Sequence, residues 1–324
     1  MPDAAKKWQL KILSTRLAGQ DFAWLTLDAP PDWQSRPGQF VNIRCAQPRD
    51  DEHSARPLDD RPGAPWPRTR GLEISEPAPL VRRPVSICDL RQRPDGGRDL
   101  VLLVRIVGPG SRFLSAKRPD ERLDLLGPIG NAFNLDAPGC RAWLIGGGCG
   151  IAPLVGLGRA LVARGRDVTI FYGCRDAEKI PLSLPPGLGP TGSQAVPILN
   201  VPELGGAPLV VATEDGSLGV RGLVTDALQA YAAQAGWDDV ALFGCGPDRM
   251  MSAVATLVEI HDLPHCQVSM ENFMGCAIGV CLSCAAKIRA DNPAGWVNKF
   301  VCQDGPIFEA RDVIFEQKWE GCKP

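Results

Sequence analysis

The chain is predicted to fold as a β barrel, then an α/β doubly wound parallel sheet, then a small C-terminal domain organised by cysteines. Three observations carry this. The first third is filled by short apolar runs, partly alternating and separated by Gly, Pro and Asp. From about residue 139, strand-length and helix-length runs alternate. Near the C-terminus, Cys276, Cys281, Cys284 and Cys302 stand at a distinctive spacing. The domain boundaries that follow are 1–138, 139–265 and 266–324. A length of 324 residues suits two domains and a small appendage.

In the first domain, WQLKILSTRLA, FAWLTLDAP, GQFVNIRC, RPVSICDL and DLVLLVRIVG read as strands. Several short strands at close spacing point to a barrel or sandwich. A Pro-, Arg- and acid-rich stretch at about 46–79 lacks apolar periodicity and reads as an inserted loop. Two barrel segments carry chemistry. Arg83, Pro84, Val85 and Ser86 place a guanidinium and a hydroxyl on one strand, suited to gripping a pyrophosphate and a heterocycle edge. VGPGSRFL then offers Gly110 and Ser111 at a helix start. Each segment alone also fits a surface strand or a plain turn.

In the second domain, RAWLIG is a strand and IAPLVGLGRALVARG a helix. DVTIFYG, LVVAT, the helix GLVTDALQAYAAQAG, the strand DVALFG and the helix DRMMSAVATLVEI follow. Such alternation builds a doubly wound parallel sheet, which binds ligands at the carboxyl ends of its strands. The turn GGGCGIAPL lies there, with Gly146, Gly147, Gly148 and Gly150 before Pro153. Missing Cβ atoms let a phosphate or ribose approach the backbone, although the spacing is not that of GxGxxG. A second turn, Gly244-Cys245-Gly246-Pro247, ends a later strand. Both also read as tight strand–helix turns, with Cys149 and Cys245 as small core residues.

In the third domain the spacing is Cys-x4-Cys-x2-Cys, seventeen residues, then Cys. This is the plant-type [2Fe–2S] pattern, three thiolates from one tight loop and one from a returning segment. Gly275 and Gly279 let the loop wrap closely. A structural zinc site also uses four cysteines, but it usually pairs two short clips. Disulfides are the other alternative. Twelve Cys in 324 residues fall below the density of a disulfide scaffold, and MPDAAKKWQL lacks a secretory apolar core, which points to a reducing compartment.

Composition excludes other classes. A net charge of −2 gives no electrostatic footprint for nucleic acid or anionic membrane. The longest uncharged apolar stretch, 142–158, is rich in glycine and unlike a membrane span. Three scattered histidines make no metal site.

The order RRPVS, GPGS, LGPIGNAF, GGGCGIAPL, GCGP and CAIGVCLSC…VCQDGPIF resembles the ferredoxin–NADP reductase superfamily. Within it, the chain is most similar to the electron-transfer subunits of NAD-linked dihydroorotate dehydrogenases, over nearly its whole length outside 46–79. The resemblance implies that residues 1–138 bind FAD, through Arg83 to Ser86, Leu103, Val104 and Arg105, and Gly110 with Ser111. It implies that residues 139–265 bind NAD(H), framed by Gly146 to Pro153 and Gly244 to Pro247. It makes residues 266–324 a [2Fe–2S] domain with Cys276, Cys281, Cys284 and Cys302 as ligands. Three positions depart from the common pattern. Val85 stands where many reductases of the superfamily carry an aromatic residue, Ser111 where Thr is more usual, and Cys149 where an aliphatic residue is commoner.

The implied role is cytoplasmic electron transfer in pyrimidine biosynthesis. A catalytic FMN-containing dihydroorotate dehydrogenase subunit would pass electrons through the cluster and FAD to NAD⁺, in a heterotetramer of two copies of each subunit. The cofactors carry the chemistry, so no residue of this chain need act as acid or base on dihydroorotate. Two alternatives stand beside it. One is the diaphorase small subunit of a bifurcating NADH–ferredoxin:NADP oxidoreductase or a sulfhydrogenase; four Cys, with no Asp among the ligands, tilt away from the bifurcating kind. The other is a zinc-bound, non-catalytic interaction module. For the nicotinamide cofactor, Arg175 favours the 2′-phosphate of NADP and Asp176 the 2′-hydroxyl of NAD. The residues leave this open, and the resemblance favours NAD(H).

Overall fold

The computed structural model describes residues 5–45 and 82–315. The insertion expected at about 46–79 lies outside these residues. β1 (Lys6–Ala18), β2 (Phe22–Ala29), β3 (Phe40–Ile43), β4 (Arg83–Gln92), β5 (Arg98–Arg105) and β6 (Arg122–Ile129) close a barrel in the order β1-β2-β5-β4-β3-β6. Every neighbouring pair is antiparallel. Helix α1 (Pro109–Ser115) joins β5 to β6. Ala23, Leu25, Leu27, Val41, Ile43, Leu100, Leu102 and Val104 fill the interior. Between them on the same strands, Phe22, Trp24, Val101 and Leu103 are buried on the outer face against the second unit. Burial on both faces explains why alternation in the sequence is only partial.

The second unit is an eight-stranded sheet ordered β16-β13-β12-β7-β8-β10-β11-β9. Its strands are β7 (Arg141–Gly147), β8 (Asp167–Cys174), β9 (Pro190–Gly192), β10 (Leu209–Thr213), β11 (Gly219–Arg221), β12 (Val240–Cys245), β13 (His265–Ser269) and β16 (Ile307–Glu309). Helices α2 (Ile151–Val162), α3 (Val224–Ala235) and α4 (Asp248–Ile260) cover it. Ala142 and Leu144 of β7 pack with α2 and the barrel, whereas Trp143 and Ile145 pack with α3 and α4. From β7 the chain winds outward through β8 and β10, then returns to place β12 on the other side of β7. The topological switch therefore falls between β7 and β12, the crevice where such sheets bind ligands.

In the third unit, β14 (Ala285–Arg289) and β15 (Trp296–Phe300) form an antiparallel pair. β16 then returns to join β13 antiparallel, at Gln267↔Glu309 and Ser269↔Ile307. Its core residues Ala277, Cys284, Val301 and Cys302 are continuous with those under α3 and α4. The 265/266 division drawn from sequence thus falls inside β13. The short strands β9, β11, β13 and β16 are too brief to show periodicity in the sequence.

The three units are bolted together. Gly156 of α2 lies so close to β4 that a Cβ there would stand 2.5 Å from the Cys88 carbonyl oxygen. Arg159 Nε meets Asp89 Oδ2 at 2.9 Å, and Trp24 Nε1 donates to the Pro181 carbonyl at 2.8 Å. Asn131, just past β6, binds the third unit through the Asp304 and Ile307 carbonyls and the Ile307 amide. Among the described residues, no helix is long and apolar enough to cross a membrane.

Candidate functional site

The loop 275–284 folds around its own sulfurs. The amides of Ile278, Val280 and Cys281 point at Cys276 Sγ, at 3.4, 3.3 and 3.3 Å. The Cys276 amide points at Cys281 Sγ (3.3 Å) and the Gly279 amide at Cys302 Sγ (3.1 Å). Left-handed backbone at Ala277 (φ 57°), Gly279 (φ 80°) and Leu282 (φ 60°) turns the chain inward. Only one of the three is glycine, so the loop holds strained backbone at two side-chain-bearing positions.

The four cysteines converge as two pairs. Cys284 and Cys302 stand 3.3 Å apart at sulfur, while Cys276 and Cys281 exchange amide contacts. Among the described residues, no three His, Cys, Asp or Glu side chains meet at single-ion spacing. Two thiolate pairs ringed by amide donors fit a binuclear cluster, in which each iron takes two thiolates. Ser283 Oγ stands 3.2 Å from Cys281 Sγ and, with the Cys276 contacts, holds that exposed thiol down to about 6. Cys302 is pushed up to about 12 by burial and by Cys284.

The barrel segments meet as well. A Cβ on Gly110 would lie 3.1 Å from Arg83 Cγ, so GPGS sits directly on the arginine of RRPVS. Ser111 Oγ accepts from the Val107 and Gly108 amides at 2.9 and 3.0 Å, so its hydroxyl shapes the turn. Val85 and Val104 point into the barrel, and Leu103 is buried against the second unit. Pro84 and Ser86 are half-buried, and Arg105 is exposed at the end of β5.

The glycines divide into two kinds. A Cβ on Gly150 would stand 2.0 Å from the Cys245 carbonyl oxygen, and one on Gly246 would stand 3.1 Å from the Gly147 amide nitrogen. Gly147 and Gly246 both press on Met250, Gly244 presses on Met251, and Gly146 on Leu154. These glycines pack the β7 and β12 turns against each other and against their helices. Gly148 (φ 54°) alone among them has none of the described residues within 4 Å of its Cβ position, so it is the one that opens onto space. Pro153 is buried within α2.

Comparison with known proteins fits this geometry. The family described as "Iron-sulfur cluster binding domain of dihydroorotate dehydrogenase B" matches residues 271–314, and "Oxidoreductase NAD-binding domain" matches 144–256. The "Dihydroorotate dehydrogenase B (NAD(+)), electron transfer subunit" of Desulforamulus reducens is 32% identical over 314 residues, covering 96% of this chain and 100% of the relative. The chain belongs to this electron transfer subunit family. The Geobacillus sp. protein of the same name is 36% identical over 242 residues, covering 74% of this chain and 82% of the relative. Among solved structures, an NADH-dependent reduced ferredoxin-NADP oxidoreductase aligns with TM-score 0.65 at 24% identity, covering 94% of this chain and 90% of that one. A ferredoxin NADP⁺ reductase from Neisseria gonorrhoeae aligns with TM-score 0.51 at 14% identity, covering 78% and 91%. These two likenesses concern the fold.

For a member of this family, the most telling residue that sequence reasoning missed is Glu271. Its Oε1 stands 3.9 Å from Cys245 Sγ. The residue as a whole is exposed, while the carboxyl beside Cys245 is raised by burial. Burial also pushes Cys149 and Cys174 up to about 12 and Cys245 well above the thiol range. These thiols stay protonated at neutral pH and act as small packing groups. At the end of β8, the Arg175 carbonyl accepts from the Asp215 amide (3.1 Å), and among the described residues Asp176 Oδ1 is buried without a hydrogen-bond partner. No local sequence signal marks Glu271; only the fold brings it to Cys245.

Proposed function

We propose that this chain is the electron-transfer subunit that carries electrons from a catalytic, FMN-containing dihydroorotate dehydrogenase subunit to NAD⁺. Cys276, Cys281, Cys284 and Cys302 hold the [2Fe–2S] cluster. Arg83 to Ser86, Leu103 to Arg105, and Gly110 with Ser111 hold FAD. The crevice between Gly146–Pro153 and Gly244–Pro247 takes NAD(H). Bound there, these groups supply one-electron exchange, conversion between one- and two-electron steps, and hydride acceptance. The observation that carries the reading is the pair of cysteine pairs ringed by amides, in a family of electron transfer subunits.

The chain's own residues bind, orient and exclude water. The amides of 278–281 and the Ser283 hydroxyl stabilise negative charge on sulfur. Arg83 offers a planar fork to phosphate oxygens beside the glycine that lets them approach. Gly148 leaves the backbone bare at the switch-point crevice. The protonated thiols of Cys149 and Cys245 pack beneath that crevice without charge, and Glu271 holds its proton more tightly than an ordinary glutamate.

Partner docking centres on the cluster loop. Phe273 (83%), Val280 (75%), Leu282 (53%) and Ile278 (50%) are exposed around the cysteines, an apolar collar that would exclude water between the two subunits. The assembly in this reading is a heterotetramer with two copies of each subunit. A cytoplasmic location belongs to it too, because a reducing compartment keeps the four cysteines from pairing as disulfides before the cluster is held.

Co-expression with the catalytic subunit tests the function. The chain alone should oxidise NADH with artificial acceptors and leave dihydroorotate untouched, while the complex should couple dihydroorotate oxidation to NAD⁺ reduction. A chain that does not associate with that subunit and gives it no NAD⁺-linked activity would overturn the assignment.

A further inference from the structure

We propose that Asn42 is the positioning residue that sets the cluster loop against the flavin barrel, through one hydrogen bond from its side-chain amide to the Cys276 carbonyl. Its neighbours Val41 and Ile43 point into the barrel core, so alternation along β3 turns Asn42 outward. An outward amide on a barrel wall is normally wet, yet Asn42 is 1% exposed because the third unit covers it. Phe40, the next outward residue on β3, packs among Ala277, Cys284 and Cys302 in the same covered patch.

The amide makes one bond here. Nδ2 donates to the Cys276 carbonyl oxygen at 2.9 Å, and among the described residues Oδ1 is buried with no partner. A buried acceptor left without a donor is a cost. An apolar side chain of similar shape would cover the wall without that cost, so coverage is not what the amide contributes. What it contributes is a fixed carbonyl on the first cysteine of the loop. Its orientation is also set, since the flipped amide would place oxygen against oxygen.

The bond is well placed for that task. Across the ladder Asn42 faces Pro84, inside the Arg83–Ser86 segment assigned to the flavin. One residue therefore belongs to the wall beside the flavin and holds a residue assigned to the cluster. Asn131 secures the returning segment at Asp304 and Ile307, just after Cys302. Asn42 secures the loop that carries the other three cysteines. Phe40 packs on the same loop but fixes no single polar atom, so the Asn42 hydrogen bond is the directional tie between β3 and the first cysteine.

The inference rests on the assignment of the four cysteines as cluster ligands, and the test separates the two. Wild type, Asn42→Leu, Asn42→Asp and Asn42→Gln are purified as holoproteins and compared for iron, FAD, electron paramagnetic resonance of the dithionite-reduced protein, and hydrogen exchange over 275–284. Asn42→Leu and Asn42→Asp should keep iron and FAD but shift the resonance line shape. Exchange at the amides of 278–281 should accelerate roughly tenfold, equivalent to about 1.4 kcal/mol, near the upper end for one hydrogen bond. Asn42→Gln, which keeps the donor, should move both readouts back toward wild type. Resonance and exchange unchanged in both Leu and Asp variants would overturn the proposal, since a residue that only fills space would leave the resonance alone. A wild-type protein without iron or a resonance signal would overturn the ligand assignment itself, and the proposal with it.

Discussion

Gly150→Ala should separate the nicotinamide function from the other two. The added Cβ would stand 2.0 Å from the Cys245 carbonyl oxygen, 2.4 Å from its carbon and 2.8 Å from the Gly246 nitrogen. All three are backbone atoms, so no rotamer change relieves the clash. An ordinary contact needs about 3.4 Å or more, so the β7 and β12 turns must part by roughly 1.5 Å, opening the crevice at the switch point. Overpacking of this kind costs about 1–3 kcal/mol. At roughly 2–4 °C per kcal/mol for a protein of this size, the melting temperature should fall by about 2–12 °C. Thermal unfolding and steady-state diaphorase kinetics would measure both effects. KM for NADH should rise while iron and FAD content hold, because the barrel and the cysteine loop lie on other elements. A variant with wild-type melting temperature and KM would refute the packing role of Gly150.

Other outcomes follow from the same structure. Replacing Cys276, Cys281, Cys284 or Cys302 by Ser should lose or damage the cluster while FAD remains, whereas Cys266→Ser, outside the loop, should keep stoichiometric iron and sulfide. Leu282→Asn suits the left-handed backbone at φ 60° better, so the isolated chain should be no less stable. It should nonetheless bind the catalytic subunit more weakly, by about 1.5–3 kcal/mol if Leu282 is buried there, read by titration calorimetry. Glu271→Gln tests the raised carboxyl. A group whose folded pKa is raised contributes stability below its unfolded value and loses it as pH rises through the folded value. The variant should therefore gain melting temperature over wild type as pH climbs above the ordinary glutamate range, with no gain well below it.

The cysteine loop was legible because the spacing of its residues is the chemistry. The parallel sheet was legible because its strands and helices are long enough to show their periods. The barrel was only half legible: β2 and β5 bury Phe22, Trp24, Val101 and Leu103 on the face that a simple barrel leaves wet. The glycines were found, but their roles were not. Gly148 and Gly150 look alike in GGGCGIAPL, and only the approach of the β12 turn makes one a packing residue and leaves the other open. Glu271 and Asn42 could not be read at all. Each depends on a partner brought close by the tertiary fold, Cys245 for one and Cys276 for the other.

The central claim is that one chain joins a nicotinamide site, a flavin and a cluster in electronic contact. An anaerobic titration of the purified holoprotein with NADH, followed by absorption and electron paramagnetic resonance, tests it most directly. The account predicts that NADH bleaches the flavin and then brings up the resonance of a reduced [2Fe–2S] centre in the same molecules. A protein holding zinc in place of iron, or a cluster that stays oxidised while the flavin is fully reduced and dithionite still reduces it, would contradict the account.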